Sequence, residues 1–173
     1  MSLSPPIWTM PVRLDDVPES GLSLDLAADA PIRDALAKAA GVDAMPRLSA
    51  RFDVTRHGRN GLHVTGKVSA TVRQTCVVTL EAMENEVEEV VDVTFVPDHE
   101  RSGEPIREDE LGAHEPPDAL VGGTVDLGIV TTEFLILGID PYPRKSGVVF
   151  TPPTSEDPAD HPFAALAALK DRH

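Results

Sequence analysis

One cysteine, Cys76, is all the thiol this 173-residue chain has, which excludes an internal disulfide and a thiolate-built zinc site within one copy. Aromatic residues are only 4% of it, so a core must rest on Val, Leu, Ile and Ala. No stretch approaches the roughly 20 apolar residues that cross a bilayer. No basic residue precedes the short apolar patch within Met1–Met10, so a secretory leader is not expected either. Phosphate-cradling glycine motifs are missing: Gly122-Gly123 has neither the GxGxxG spacing nor a Walker lysine. The histidines (His57, His63, His99, His114, His161, His173) show no ligand spacing. His57 and His63 can approach across a hairpin, but they read as surface residues beside its turn. Cys76 falls on the inward parity of a strand pattern with no base placed to activate it. The sequence therefore predicts no catalytic residue, no metal, no cofactor and no small-molecule substrate.

What is present is enough for a globular fold, with 41% apolar residues and 16 prolines concentrated at the two ends and in one internal stretch. Three parts are expected: an arm over residues 1–18, one domain over 19–150, and a Pro-rich tail over 151–173. The arm has an edge strand around Trp8–Val12 as its alternative. The tail ends in a short amphipathic helix over Pro162–Lys170. With a single cysteine, a reducing cytoplasmic setting is the natural expectation.

Hydrophobic periodicity places the elements. Leu22, Leu24 and Leu26 alternate with polar neighbours as a half-buried strand. Asp29 or Ala30 caps a helix with Pro31 in its first turn and Gly41 at its end, its packing stripe being Ile32, Leu36, Ala39 and Ala40. Leu48, Ala50, Phe52 and Val54 point inward on the next strand. A turn over 57–61 follows, with Asn60-Gly61 suited to positive φ. A long strand then runs from Leu62 through Val72 to Cys76, Val78 and Leu80 on one parity. A third strand turns Val87, Val91, Val93 and Phe95 inward. Together these give a meander with one wet face. Residues 98–118, with eight acids and two arginines, lack periodicity and read as a mobile loop. A short strand at Leu120–Val121 and a last one at Val148–Phe150 complete the reading. The fold class is α+β: a curved, mostly antiparallel sheet, barrel-like in its extreme form, with a helix on its inner face and the first helix closing one end.

Net charge is −14, which opposes indiscriminate nucleic-acid binding. The charge is segregated. Arg47, Arg51, Arg56, Arg59, Lys67 and Arg73 stand against one acid, Asp53, within residues 47–73. This is a local +5 in a chain of −14, leaving −19 elsewhere. Arg47, Arg51, Lys67 and Arg73 share the outward side, Arg51 and Lys67 come roughly opposite or diagonal, and Arg56 and Arg59 lie at the hairpin tip. These six are candidates for RNA-backbone contact. The alternative is neutralisation within the sheet, with Arg73 near Glu88 or Asp92. No aromatic residue interleaves with them, so base stacking is not expected.

The densest punctuation lies in Gly122–Arg144. Gly122-Gly123 makes a turn, Asp126 caps a helix over Leu127–Leu137, and Gly138 and Pro141 stop it. Leu127, Val130, Phe134 and Leu137 form its stripe, and Ile129 and Ile136 widen the arc until the helix is apolar nearly all round, which predicts full burial. Glu133 is its one charge, and Arg144, at the end of Asp140-Pro141-Tyr142-Pro143-Arg144, is the expected structural partner.

Three pieces in order, Cys76-Val-Val-Thr-Leu80-Glu, Val125-Asp126-Leu127-Gly128 with Glu133, and Asp140-Pro-Tyr-Pro-Arg144, resemble the YceD family, the large ribosomal RNA subunit accumulation proteins. The closing Pro162-Phe-Ala-Ala-Leu166 is similar to that family's tail motif, and the likeness covers roughly residues 47–170. It implies a bacterial, cytoplasmic, non-enzymatic role in synthesis, processing or stability of large-subunit ribosomal RNA. The implied partner is ribosomal RNA or an assembly component. An acidic adaptor that shields a basic ribosomal protein is the alternative, and a ligand pocket inside a barrel is a third class. The resemblance implies that many relatives carry Cys-x-x-Cys where this chain has Cys76 and Thr79, which removes a redox or metal role for that pair here.

Overall fold

Period-2 patterning builds the largest element, a five-stranded sheet. In the computed structural model, which describes residues 5–97 and 117–151, the sheet runs β2 (Leu22–Ala27), β3 (Ala44–His57), β4 (Gly61–Thr75), β5 (Ala82–Val96) and β6 (Asp118–Ala119). Neighbours are antiparallel except β5 and β6, which run parallel through Phe95–Asp118 and Val96–Ala119. A smaller antiparallel ribbon joins β1 (Pro11–Arg13) to β7 (Thr124–Asp126). Two helices complete the α+β fold, α1 (Ala30–Ala40) and α2 (Leu127–Gly138). Among the described residues β2 and β6 remain separate edges, so the sheet curves without closing into a barrel.

One face of the sheet is the core. Phe52 and Val54 of β3, Leu62, Val64, Val68, Ala70 and Val72 of β4, and Val87 and Val91 of β5 are buried on it. Each large apolar side chain so buried contributes about 1.5–3 kcal/mol. Gly66 occupies the inward parity opposite Phe52. A Cβ there would fall 2.1 Å from the Arg51 carbonyl oxygen and 2.8 Å from Phe52 Cδ1, so the missing side chain makes room for the ring. Trp8, Val12 and Val17 are also buried, and from Trp8 onward the N-terminal segment packs into the core, its strand being Pro11–Arg13.

The helices are capped as their sequences predict. Asp29 accepts the Ile32 amide, Pro31 sits in the first turn, and Gly41 ends α1 in the left-handed conformation. The packing face of α1 is rotated from the expected one: Leu36 and Ala37 are buried, Ile32 and Ala40 half-buried, and Ala39 exposed. In α2 the buried residues are Leu127, Gly128, Val130, Thr131 and Leu135, with Phe134 half-buried. This is an i, i+3, i+4, i+7, i+8 face. Thr131 is tolerated there because its hydroxyl donates to the Leu127 carbonyl at 2.6 Å. The expected all-round burial does not occur. Leu137 is 80% exposed, and Ile129 and Ile136 are exposed too. A helix lying on a single sheet layer buries one face only.

Other expectations shift. At the β3–β4 hairpin the positive φ belongs to Gly58, and Gly61 is already the first residue of β4. Strand β4 stops at Thr75: Cys76 is buried, but the chain turns over 77–79, and Leu80 takes φ 58° and is 77% exposed. The turn closes through Leu80 N–H to the Cys76 carbonyl and Cys76 N–H to the Glu81 carbonyl, each 2.9 Å. The short strand near 120 lies instead at Asp118–Ala119, and Val121 bridges Thr124 around Gly122-Gly123. Val148–Phe150 forms no strand, with Val149 and Phe150 exposed. Most of the 98–118 loop and the 162–170 helix lie outside the described residues.

Candidate interaction surfaces

The outward parity of β2–β5 carries the predicted basic residues, and strand register decides what each meets. Arg51 opposes Lys67 across β3–β4, as the hairpin pattern predicts. Like charges at that spacing repel, and each turns away to a carboxylate on its other side. Arg51 Nε bonds Asp25 on β2 at 2.6 Å, and Lys67 Nζ bonds Glu88 on β5 at 2.7 Å. Arg47 bonds Glu86 at 2.6 Å. Arg73 reaches Glu84 at 2.8 Å, not Glu88 or Asp92, because the 76–81 turn sets Arg73 directly opposite Glu84. His63 bonds Asp92 at 2.7 Å and does not turn to His57. The Arg51 guanidinium holds the Asp25 carboxyl below its ordinary range, and Asp25 in turn raises Arg51. Glu86 is lowered first by the Thr71 hydroxyl, which donates to it at 2.7 Å, and then by Arg47.

The face therefore has four permanent cations against six acids, since Asp53 and Asp92 add to the four paired carboxylates. A shallow hollow of about 480 Å³ lies over Asp25, Ser49, Arg51, Lys67 and Ser69. At the hairpin tip Arg56 donates to the Val17 carbonyl at 2.8 Å, and Arg59 is exposed.

The residues that follow α2 form a second, rigid surface. Asp140 accepts the Tyr142 amide at 2.8 Å, and Gln74, bonded to Asn85, donates to the Asp140 carbonyl at 2.8 Å. Pro143 is buried and its carbonyl accepts Val77 N–H at 2.9 Å. Lys145 N–H points at Cys76 Sγ (3.4 Å), and its Nζ bonds Glu81 at 2.7 Å. Pro141 is exposed on this loop, as are Tyr142, at 72%, and Arg144. Arg144 lines a cleft with Gln74, Asn85, Glu86 and Asp140. The expected Glu133–Arg144 pair does not form, because Glu133 lies on the side of α2 that faces Asp118 of β6.

Asp126 is the third construction. Its Oδ1 accepts the amides of Met10, Gly128 and Ile129 at 2.8, 2.9 and 3.2 Å, while Leu127 N–H returns to the Met10 carbonyl. One carboxylate thus caps α2 and anchors the N-terminal segment. A Cβ on Gly128 would stand 2.6 Å from the Trp8 carbonyl oxygen, so this close approach requires glycine. Beyond the cap, α2, β6 and β7 border a groove of about 570 Å³ that also reaches Pro11 and Phe95. Sequence reasoning missed this groove, since it joins residues from three distant stretches. Val121 beside Gly122-Gly123 was the only local hint.

Among the described residues no helix is long and apolar enough to cross a membrane. No curated protein and no solved structure matches the chain. The sequence model of one family, described as large ribosomal RNA subunit accumulation protein YceD, matches residues 64–170. That stretch takes in most of β4, all of β5 to α2, the Asp140–Arg144 loop and the Pro162–Leu166 motif, and leaves Arg47, Arg51, Arg56 and Arg59 outside. With well over half of its length matched, the chain belongs to the YceD family, whose description ties it to accumulation of the large ribosomal RNA subunit.

Proposed function

We propose that the chain is a non-enzymatic, cytoplasmic binding factor in large-subunit ribosomal RNA accumulation, and that what it holds is a basic protein component of assembly. The observation that carries this reading is the ion pairing on the outer face. Arg47, Arg51, Lys67 and Arg73 each meet a carboxylate within 2.8 Å, and acids outnumber cations there. Such a face has no net attraction for a phosphate backbone, and the chain as a whole carries −14. A basic ribosomal protein held on an acidic surface is shielded from non-specific RNA until it is delivered.

Direct RNA contact is the second reading, favoured by the hollow over Ser49, Arg51, Lys67 and Ser69 and by the exposed Arg59. Exposed ion pairs are worth only about 0–1 kcal/mol, so a phosphate can compete for those cations. Capture of bacterial extract on the tagged full chain, with and without nuclease, separates the two. A basic large-subunit protein retained after nuclease is the expected result. If nuclease strips every such protein, the adaptor reading fails and RNA contact takes its place.

A further inference from the structure

The groove between α2, β6 and β7 has an apolar lining and an acidic rim. Its lining is apolar: Pro11, Phe95, Val125 and Val130 form the walls, and Val121 and Ile129 stand 75% and 38% exposed at its mouth. Its rim is acidic. Asp118 and Glu133 face the same space, and among the described residues neither has a cation or a hydrogen-bond donor. Partial burial and, after it, the neighbouring Asp118 charge raise the Glu133 carboxyl above its ordinary range. Four carboxylates on the outer face have a cation beside them; among the described residues these two have none. The third acid of the groove, Asp126, is already spent on the amides of Met10, Gly128 and Ile129. The sequence joining β5 to β6 carries seven acids and two arginines, a net negative stretch.

We propose that this groove seats a peptide segment of a partner protein in which Lys or Arg alternates with apolar residues. The cation lies between Asp118 and Glu133, and the apolar side chains cover Val121 and Ile129. Charge complementarity selects this occupant. An acidic segment would be repelled by Asp118 and Glu133, and a purely apolar one would cover them without a partner. At about 570 Å³ the groove is within the size range of ligand sites. The proposal rests on the reading of a basic protein partner and names where that partner docks.

The test uses the full chain and a labelled peptide of alternating Lys and Leu, with a Glu–Leu peptide of equal length as its counterpart. Fluorescence anisotropy should show binding of the first peptide only. Asp118→Asn with Glu133→Gln should weaken it about fivefold, the effect of losing two partly exposed ion pairs. Glu84→Gln with Glu86→Gln, an equal charge change on the outer face, should leave it nearly unaltered. Equal weakening by both pairs would reduce the effect to general acidity and overturn the proposal. A photo-crosslinker at Val121 should capture the peptide. Capture instead of the chain's own 162–170 segment, of a second copy or of RNA, undisplaced by the peptide, would also overturn it. A basic ribosomal protein that survives nuclease but ignores Asp118→Asn/Glu133→Gln would sink the groove alone. Loss of all such protein with nuclease would sink the adaptor reading itself.

Discussion

Cys76 is fully buried in the turn that ends β4, and two backbone amides, of Thr79 and Lys145, point at its sulfur from 3.5 and 3.4 Å. The Thr79 hydroxyl beside the sulfur is the largest influence, followed by these amides, and together they outweigh burial and bring the thiol down to about 6. A free cysteine titrates at about 8.5, so these contacts favour the thiolate over the thiol. Burial denies that thiolate to reagents, and its role is to tie the 76–80 turn to the loop after α2. Thr79 thus supplies one backbone hydrogen bond to the sulfur. A folded value below the unfolded one means that ionisation stabilises the fold at alkaline pH, and this contribution disappears as pH falls through about 6. Thermal unfolding of the wild type and Cys76→Ser from pH 6 to 8.5 should therefore show a gap that widens with pH. Parallel curves would mean that the sulfur does not ionise there.

At the scale of the element, α2 tests how its apolar sequence is divided between core and surface. Leu135 is fully buried against the sheet, whereas Leu137, two residues on, is 80% exposed. Leu135→Ala should cost about 2–5 kcal/mol through lost burial and a cavity, and Leu137→Ala no more than about 0.5 kcal/mol. Denaturant titration of the two variants would decide it, and equal losses would mean that α2 packs through the other face. The stripe Leu127, Val130 and Phe134 is legible in the sequence, but Ile129, Ile136 and Leu137 make the helix apolar all round and hide its orientation. The strands are more legible, because a sheet with one wet face writes its register as alternation: Leu48 to Val54 and Leu62 to Val72 lie inward as the pattern predicts. Alternation misleads beyond Thr75, where Val78 and Leu80 keep the parity while the backbone turns away. The two-residue β6 is illegible because its pairing with Phe95 and Val96 is distant in sequence and leaves no periodic trace. Of the candidate surfaces, the position of the cations was legible and their partners were not. Arg73 meets Glu84 only because the length of the 76–81 turn fixes that register.

Across the whole molecule, the sheet works as a charge-cancelling plate. Asp25 on β2 and Glu84, Glu86 and Glu88 on β5 flank the cations of β3 and β4, so positive charge runs down the middle and negative charge down both sides. The local excess of +5 read from residues 47–73 is real along the chain but is offset in space at Arg47, Arg51, Lys67 and Arg73, because pairing joins β3 and β4 to strands that lie outside that stretch. If the carboxylates are what silence the cations, Glu84→Gln, Glu86→Gln and Glu88→Gln together should free Arg73, Arg47 and Lys67 without unfolding the protein. The stability loss should stay below about 1 kcal/mol for each exposed pair. Affinity for a single-stranded RNA oligonucleotide should rise, and its dependence on salt should steepen by up to roughly 0.7 in log–log slope for each freed cation that finds a phosphate. A triple variant with the wild-type affinity and slope would show that these cations do not reach a phosphate even when released. The outer face would then be structural, leaving partner recognition to the groove beside α2 and the Tyr142–Arg144 loop.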